Sequence, residues 1–285
     1  MKLATLRING TTVAARLDGT QYTEISGFAD VGGLLREPNW QDIAAAARGT
    51  QHAAAAADHA PVIPYPGKII CVGANYLQHI QEMGSEIPEY PTLFAKYPES
   101  LIGANDEIEL PEEDGAVDWE GELAVIIGAT ARRVHESEAD GHIAGYSVVN
   151  DVSMRGYQFR SMQWLQGKTW ERSTPFGPVL ATPDEYVPGA AITTIVDGET
   201  VQQGSTADTV FSPQYLVAYI SRILTLNPGD VIITGTPSGV GHAREPRMYL
   251  SDGSVLETQI EGLGVQRNLA VAAALVPAAA SGRQG

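Results

Sequence analysis

Between residues 118 and 127 an acidic cluster runs directly into an apolar strand. Asp118-Trp119-Glu120-Gly121-Glu122 is followed by Leu123-Ala124-Val125-Ile126-Ile127, so the chain must place carboxylates at the rim of its own core. Side chains alternate in direction along a strand, which points Glu120 and Glu122 to one face. Like charges held that close force a proton onto one of them unless a cation compensates. A solvated strand edge would satisfy the same spacing. A second acidic strand end favours the buried alternative: Asn150-Asp151 closes the apolar stretch that begins at Tyr146. Glu120, Glu122 and Asp151, drawn from two strand ends, make a hard oxygen site suited to Mg²⁺ or Mn²⁺. Zinc is less favoured, because no histidine lies at ligand spacing from them.

One divalent ion on three carboxylates leaves a negative charge, so an anionic substrate needs a further cation. Lysine is scarce, with only Lys2, Lys68, Lys96 and Lys168 in 285 residues. Lys168 follows a glycine in the polar stretch after Asp151 and is the expected cation; a solvent-facing loop lysine is the alternative. His79 and Glu82 lie three apart on a predicted short helix and share a face. A carboxylate that orients an imidazole makes a general base, although a surface pair has the same spacing.

The surroundings of these residues set the fold class. Asn9-Gly10 and Asp18-Gly19 are hairpin signals between short apolar runs. Residues 38–60 carry a helical, alanine-rich composition, and Pro61, Pro64 and Pro66 mark a rigid connection. Predicted strands then recur at Lys68–Gly73, Thr92–Lys96, Val117–Ile127, Tyr146–Asn150, Ala191–Val196, Val231–Thr234, Val255–Ile260 and Val265–Val271. Helices are expected at Val134–Ala144 and, with Ser212 as its cap and Pro213 at its first position, at Ser212–Ile223. Residues 151–177 suit a long functional loop. Strands outnumber helices and no βαβ rhythm appears, so the fold class is mixed, β-rich α+β built around hairpins. The expected organisation is a small N-terminal domain over 1–65, a larger domain over 66–274 and a disordered tail over 275–285.

Charge and composition remove several function classes. The formal charge is -16, a surface that repels nucleic acid and anionic membrane. No apolar run reaches the length of a membrane span, no export signal is evident, and a cytoplasmic location is expected. The single cysteine, Cys71, excludes an intramolecular disulfide framework. Thr234-Gly235-Thr236-Pro237-Ser238-Gly239-Val240-Gly241 follows a strand but lacks the lysine of a P-loop, and Pro237 removes an amide from any phosphate cradle. No nucleophile elbow is present.

Taken together and in order, these motifs resemble the fumarylacetoacetate hydrolase family over roughly residues 67–272. They are Val72-Gly73-Ala74-Asn75-Tyr76 with His79 and Glu82, Asp118 to Glu122, Asn150-Asp151-Val152-Ser153, Gln163-Trp164 with Gly167-Lys168, Pro228-Gly229-Asp230, Thr234 to Gly241, and Glu257 to Gly264 with Asn268. The resemblance implies a mixed β-roll core and a homodimer. It implies Glu120, Glu122 and Asp151 as metal ligands, Lys168 as the active-site lysine, His79 and Glu82 as a lid dyad, and Thr236, Arg155 and Gln163 as substrate contacts. Where the family often reads alanine-arginine-aspartate after Ser153, this chain has Met154-Arg155-Gly156, which removes a possible partner of Arg155. The chemistry implied is metal-dependent hydrolysis of a carbon–carbon bond in a small anionic diketo acid, an acylpyruvate such as fumarylpyruvate, giving pyruvate and a second acid. Oxaloacetate decarboxylation, isomerisation or decarboxylation of dienoic diacids, cleavage of diketo deoxy sugar acids and non-catalytic ligand binding are the alternatives.

Overall fold

In the computed structural model, which describes residues 1–273, the chain opens with the hairpin that Asn9-Gly10 announces. Strands β1 (Lys2–Ile8) and β2 (Thr11–Asp18) pair antiparallel. Asn9 and Gly10 both take positive φ, at 50° and 80°, the backbone a two-residue turn demands. Strand β3 (Gln21–Glu24), helices α1 (Val31–Leu35) and α2 (Trp40–Ala46) and strand β4 (Gln51–Ala53) complete this region. The helix expected over 38–60 is therefore short. Its alanine-rich run has little apolar face to bury, and the chain instead returns to the edge of β3. A side chain at Gly49 would stand 2.5 Å from the Glu24 carbonyl.

The larger region begins with β5 (Ile69–Gly73), α3 (Leu77–Glu82) and β6 (Thr92–Lys96). Short strands β7 (Leu101–Ile102), β8 (Ile108–Leu110) and β9 (Val117–Asp118) lead to β10 (Gly121–Ile127) and β11 (Ile143–Asn150). Strand β12 (Ser153–Met154), helices α4 (Arg155–Gln158) and α5 (Leu165–Lys168), and strands β13 (Thr174–Pro175) and β14 (Leu180–Ala181) follow. Then come β15 (Ala191–Val196), β16 (Glu199–Ser205), α6 (Pro213–Ile223), β17 (Val231–Ile233), β18 (Val255–Ile260) and β19 (Gly264–Ala272). Ser212 caps α6 by accepting from the Tyr215 amide, as its sequence predicts.

Two expectations are corrected. Residues Glu136–His142 form a 3₁₀ helix, while Ile143 and Ala144 belong to β11; both are apolar and enter the core with that strand. The strand expected over Val117–Ile127 breaks at Trp119-Glu120, because the Glu120 amide turns to the Asn150 side chain at 3.0 Å. The disordered tail expected from residue 275 lies outside the described residues.

A ten-stranded mixed sheet has the order β4-β3-β2-β1-β14-β11-β10-β17-β5-β6, and a five-stranded sheet the order β16-β15-β18-β19-β8. Every residue of β10 and β11 is buried. Both faces of this part of the sheet are covered: Leu123, Val125 and Ile127 enter one apolar cluster, Ala124 and Ile126 another. That two-sided burial explains the uninterrupted apolar run. The division near residue 65 stays a proposal about organisation, since β1 pairs with β14 across it and one apolar cluster draws on Leu3, Ala14, Ile126 and Leu180 alike.

Antiparallel pairing sets Gly121 opposite Asn150 and Glu122 opposite Val149, which brings the start of β10 beside the end of β11. Gly121 has its own task. A methyl there would meet the Thr194 hydroxyl at 2.4 Å, so glycine between the two glutamates lets the second sheet approach.

The seam of β11 and β14 is equally tight, since a side chain at Gly145 would lie 2.2 Å from the Ala181 carbonyl. Gly145→Ala should cost about 1–3 kcal/mol by overpacking, read as a lower urea midpoint. Gly141→Ala, where nothing lies within 4 Å, should stay within about 0.5 kcal/mol of the parent. Equal midpoints for the two variants would contradict the tight seam.

Candidate active site

The β10–β11 register delivers three carboxylates to one point: ligand atoms of Glu120, Glu122 and Asp151 all lie within 4.8 Å of one another, and all three residues are buried. Lys168, at the end of α5, bridges two of them, donating to Glu120 Oε2 at 2.6 Å and Asp151 Oδ2 at 2.8 Å. Arg155 at the start of α4 contacts Glu120 Oε1 at 2.7 Å and Asp118 Oδ2 at 2.7 Å. Lys96, at the end of β6, donates to Asp151 Oδ1 at 2.6 Å and is itself completely buried. The sequence marks Lys96 only as one of four lysines. Its position closing a strand that pairs with β5 was the available signal, but pairing across the sheet is not visible in a one-dimensional pattern.

Four carboxylates, with Asp118, therefore face three cations, and the one left over is Glu122. Among the described residues it makes no ion pair; it accepts a hydrogen bond from the Gly235 amide. Burial, then the neighbouring Asp151 and Glu120 charges, push its carboxyl well above its ordinary value. Glu120 goes the other way. Burial is its largest single influence and acts upward, but Lys168 and Arg155 outweigh it and hold the carboxyl at about 2. For Lys168 burial acts downward, and Asp151 with Glu120 overcome it, so the amine ends above its ordinary range. Two carboxylates held by cations and a third that lacks one form a donor set into which a hard divalent ion fits.

A cavity of about 130 Å³ opens on this cluster, and His79, Glu120, Glu122, Phe159, Lys168 and Thr236 are among its lining residues. His79 enters from helix α3, the segment expected to form a lid. Its Nδ1 lies 3.0 Å from Glu82 Oε2, and Glu82 Oε1 accepts from the Gly239 amide at 2.9 Å. With Nδ1 committed, Nε2 is the nitrogen available to a substrate. Thr236 lines the cavity, with its hydroxyl donating to the Gly121 carbonyl at 2.9 Å and accepting from Gln202 at 2.8 Å.

Of the expected substrate contacts, Arg155 and Thr236 line the cavity and Gln163 does not. Gln163 is exposed and absent from the cavity lining, whereas Gln158 lines it. The Oε1 of Gln158 accepts from Arg155 at 2.8 Å, which leaves its amide group for a ligand. Gln163 lies before α5 and faces solvent, while its neighbour Trp164, at the start of that helix, lines the cavity. Arg155 does not lack partners: Asp118, Glu120 and Gln158 take up its guanidinium. Gly156 makes room, since a side chain there would meet the Asp114 carboxylate at 2.8 Å. That carboxylate accepts from the Ala116 and Tyr157 amides, so an acidic residue at 156 would be set against another acid.

Residues 68–271 match the family model described as Fumarylacetoacetate (FAA) hydrolase C-terminal. The chain belongs to the fumarylacetoacetate hydrolase family. Among its relatives, the human protein named oxaloacetate tautomerase FAHD2A, mitochondrial, is 42% identical over 210 residues, covering 72% of this chain and 67% of that one. The solved structure of a fumarylacetoacetate hydrolase from psychrophilic Exiguobacterium antarcticum superposes with a TM-score of 0.84 at 34% identity, over 96% of this chain and 100% of that one. That of 5-carboxymethyl-2-hydroxymuconate delta-isomerase from Mycobacterium smegmatis does so at 0.80 and 31%, with the same coverage. Divalent-metal dependence is general in the fumarylacetoacetate hydrolase family, in line with the acidic triad. No helix among the described residues is long and apolar enough to cross a membrane.

Glu122 makes the metal testable without any substrate. Its folded value lies above its unfolded one, so the folded chain holds that proton more tightly. Stability of the metal-free protein is then lost as pH rises from the ordinary value of 4.5 toward the folded value. Mg²⁺ or Mn²⁺ at a hundred times its Kd should add about 2.7 kcal/mol, and Glu122→Gln should remove both the pH-dependent loss and the metal effect. Melting curves across pH, with and without metal, measure this. A melting temperature indifferent to both ions would contradict the assignment.

Proposed function

We propose that this protein interconverts the keto and enol forms of a short 2-oxo diacid of the oxaloacetate type. The observation that carries the reading is a single His79–Glu82 pair on α3 lining the same small cavity as Glu120, Glu122 and Lys168. A cavity of about 130 Å³ is comparable with the ~150 Å³ space that takes up a six-membered ring, which suits a compact four-carbon diacid. The 42% identity to a protein named as an oxaloacetate tautomerase supports the same class.

A divalent ion on Glu120, Glu122 and Asp151 would supply Lewis acidity that favours the enolate over the ketone. This chain's residues do the rest. Glu82 accepts the Nδ1 proton of His79 and holds the imidazole in the tautomer whose Nε2 is basic. His79 Nε2 takes a proton from the carbon beside the 2-oxo group, the electron pair moves onto the carbonyl oxygen, and a proton returns to that oxygen. The reverse sequence regenerates the ketone, so no co-reactant is consumed. Lys168, fixed between Glu120 and Asp151, places a positive charge where negative charge develops.

Hydrolysis of an acylpyruvate such as fumarylpyruvate is the second reading. It asks His79 to deprotonate water rather than carbon, and it needs space for a longer acyl group. Phe159 favours it, because this cavity-lining residue is also 54% exposed and marks an exit. A homodimer and a cytoplasmic location belong to the same proposal.

The test is a panel of enol oxaloacetate, acylpyruvates and diketo sugar acids with Mg²⁺ and with Mn²⁺, followed by ultraviolet absorbance and mass analysis. Accelerated loss of the enol band with unchanged mass is expected, and His79→Ala should slow it by about 10²-fold or more. Release of pyruvate and a second acid, with oxaloacetate untouched, would replace tautomerisation by hydrolysis. Carbon dioxide as the product would point to decarboxylation.

A further inference from the structure

Trp119 stands between two acidic residues of the site, faces neither the cavity nor solvent, and is fully buried. Its indole Nε1 donates to the Gly239 carbonyl at 3.1 Å. The amide of the same glycine donates to Glu82 Oε1 at 2.9 Å, and the other oxygen of Glu82 holds His79. Gly239 is thus gripped at both of its polar groups, from the acidic segment on one side and from the lid on the other.

Its surroundings leave it no other position. Gly239 has φ +102°, and a side chain on it would stand 2.0 Å from the Val201 carbonyl. Arg244 clamps the same place, with Nη2 on the Val201 carbonyl at 2.7 Å and Nε on the Gly239 carbonyl at 3.4 Å. Asp118 pins the next residues, accepting from the Gly241 amide at 2.7 Å and the His242 amide at 3.0 Å. The loop that receives Glu82 is therefore anchored to Asp118 and Trp119, the two residues immediately before Glu120.

We propose that Trp119 is a positioning residue for the lid base: through Gly239 it sets where Glu82, and hence His79, comes to rest over the acidic triad. The proposal rests on His79 as the base, and it adds a physical reason why base and triad keep a common frame although they come from separate elements. A merely structural role for Trp119 would be that of a buried ring whose N–H takes the nearest carbonyl. Such a ring has no reason to act through Glu82.

A double-mutant cycle on the Mn²⁺-loaded enzyme separates the two roles. Wild type, Trp119→Phe, Glu82→Ala and the double variant are compared in turnover of enol oxaloacetate and in amide hydrogen exchange over residues 77–83. Trp119→Phe should lower kcat about tenfold and leave KM within about twofold, while in the Glu82→Ala background the same change should cost less than about twofold. Exchange over 77–83 should quicken in Trp119→Phe. Equal losses in both backgrounds, or exchange unchanged from wild type, would overturn the proposal. Wild type that turns over no substrate of the panel refutes the functional reading instead, and hydrogen exchange alone then decides the role of Trp119. If Trp119→Phe does not fold, Glu82→Ala reads the link from the other end. The Trp119 indole N–H should then exchange at least about tenfold faster than in wild type, and an unchanged rate would overturn the link.

Discussion

The structure turns on one buried ammonium group. Lys168 holds Glu120 and Asp151 together at hydrogen-bond distance with no solvent to share the load. Removing such a cation would leave two carboxylates facing each other in a medium of low dielectric, and losing one partner of a buried pair costs about 3–5 kcal/mol. Lys96 on the far oxygen of Asp151 and Arg155 on the far oxygen of Glu120 complete the compensation. Every element that brings a member of this cluster is constrained in turn: β6 must end at Lys96, α5 at Lys168, and β10 must begin where β11 finishes. The mixed sheet is the frame that lets these ends meet.

The balance of the cluster also explains why its chemistry is directional. Lys168 and Arg155 fix Glu120 as an anion, and Asp151 is bonded to two ammonium groups, so these oxygens are already oriented. Glu122 is the group whose charge is not yet met. A divalent ion that displaces the Glu122 proton completes that account and leaves the cluster with a net positive charge, which suits the dianionic substrate proposed above. The overall charge of -16 makes the local sign more important, because nothing farther out attracts such a substrate.

Much of this was legible in the one-dimensional pattern, for identifiable reasons. The acidic cluster before an uninterrupted apolar run, and a second acid ending another, could be read because strand periodicity puts residues two apart on one face and strand ends near one another. The Asn9-Gly10 turn was readable because only a few residues tolerate its backbone. Lys96 was not readable as part of the site, since its role arises from pairing of β5 with β6 and from depth in the core. Gln158 rather than Gln163 lines the cavity for a related reason: both lie in a stretch of short helices, where no periodicity says which side faces inward. Gly156 looked like the loss of a partner for Arg155, yet Asp118 supplies that partner from 37 residues earlier in the chain. Composition names the groups available, and only the folded path says which of them meet.

Reactions that share this scaffold differ in what happens beyond a stabilised enolate, and the geometry suggests where that choice is made. In the proposed chemistry the triad with Lys168 would treat the 2-oxo acid end of each such substrate alike, and what His79 meets beyond it, carbon-bound hydrogen or water, would decide the reaction. The position of His79 depends on α3, which rests on the loop from Gly235 to Gly241 through Glu82 and through the Gln78–Ser238 contact at 3.4 Å. Substitutions at Ser238 or Gly239 would therefore redirect the proposed chemistry without touching Glu120, Glu122 or Asp151, whereas substitutions in the triad would abolish every such reaction together. Specificity in such a site belongs to the cover rather than to the floor.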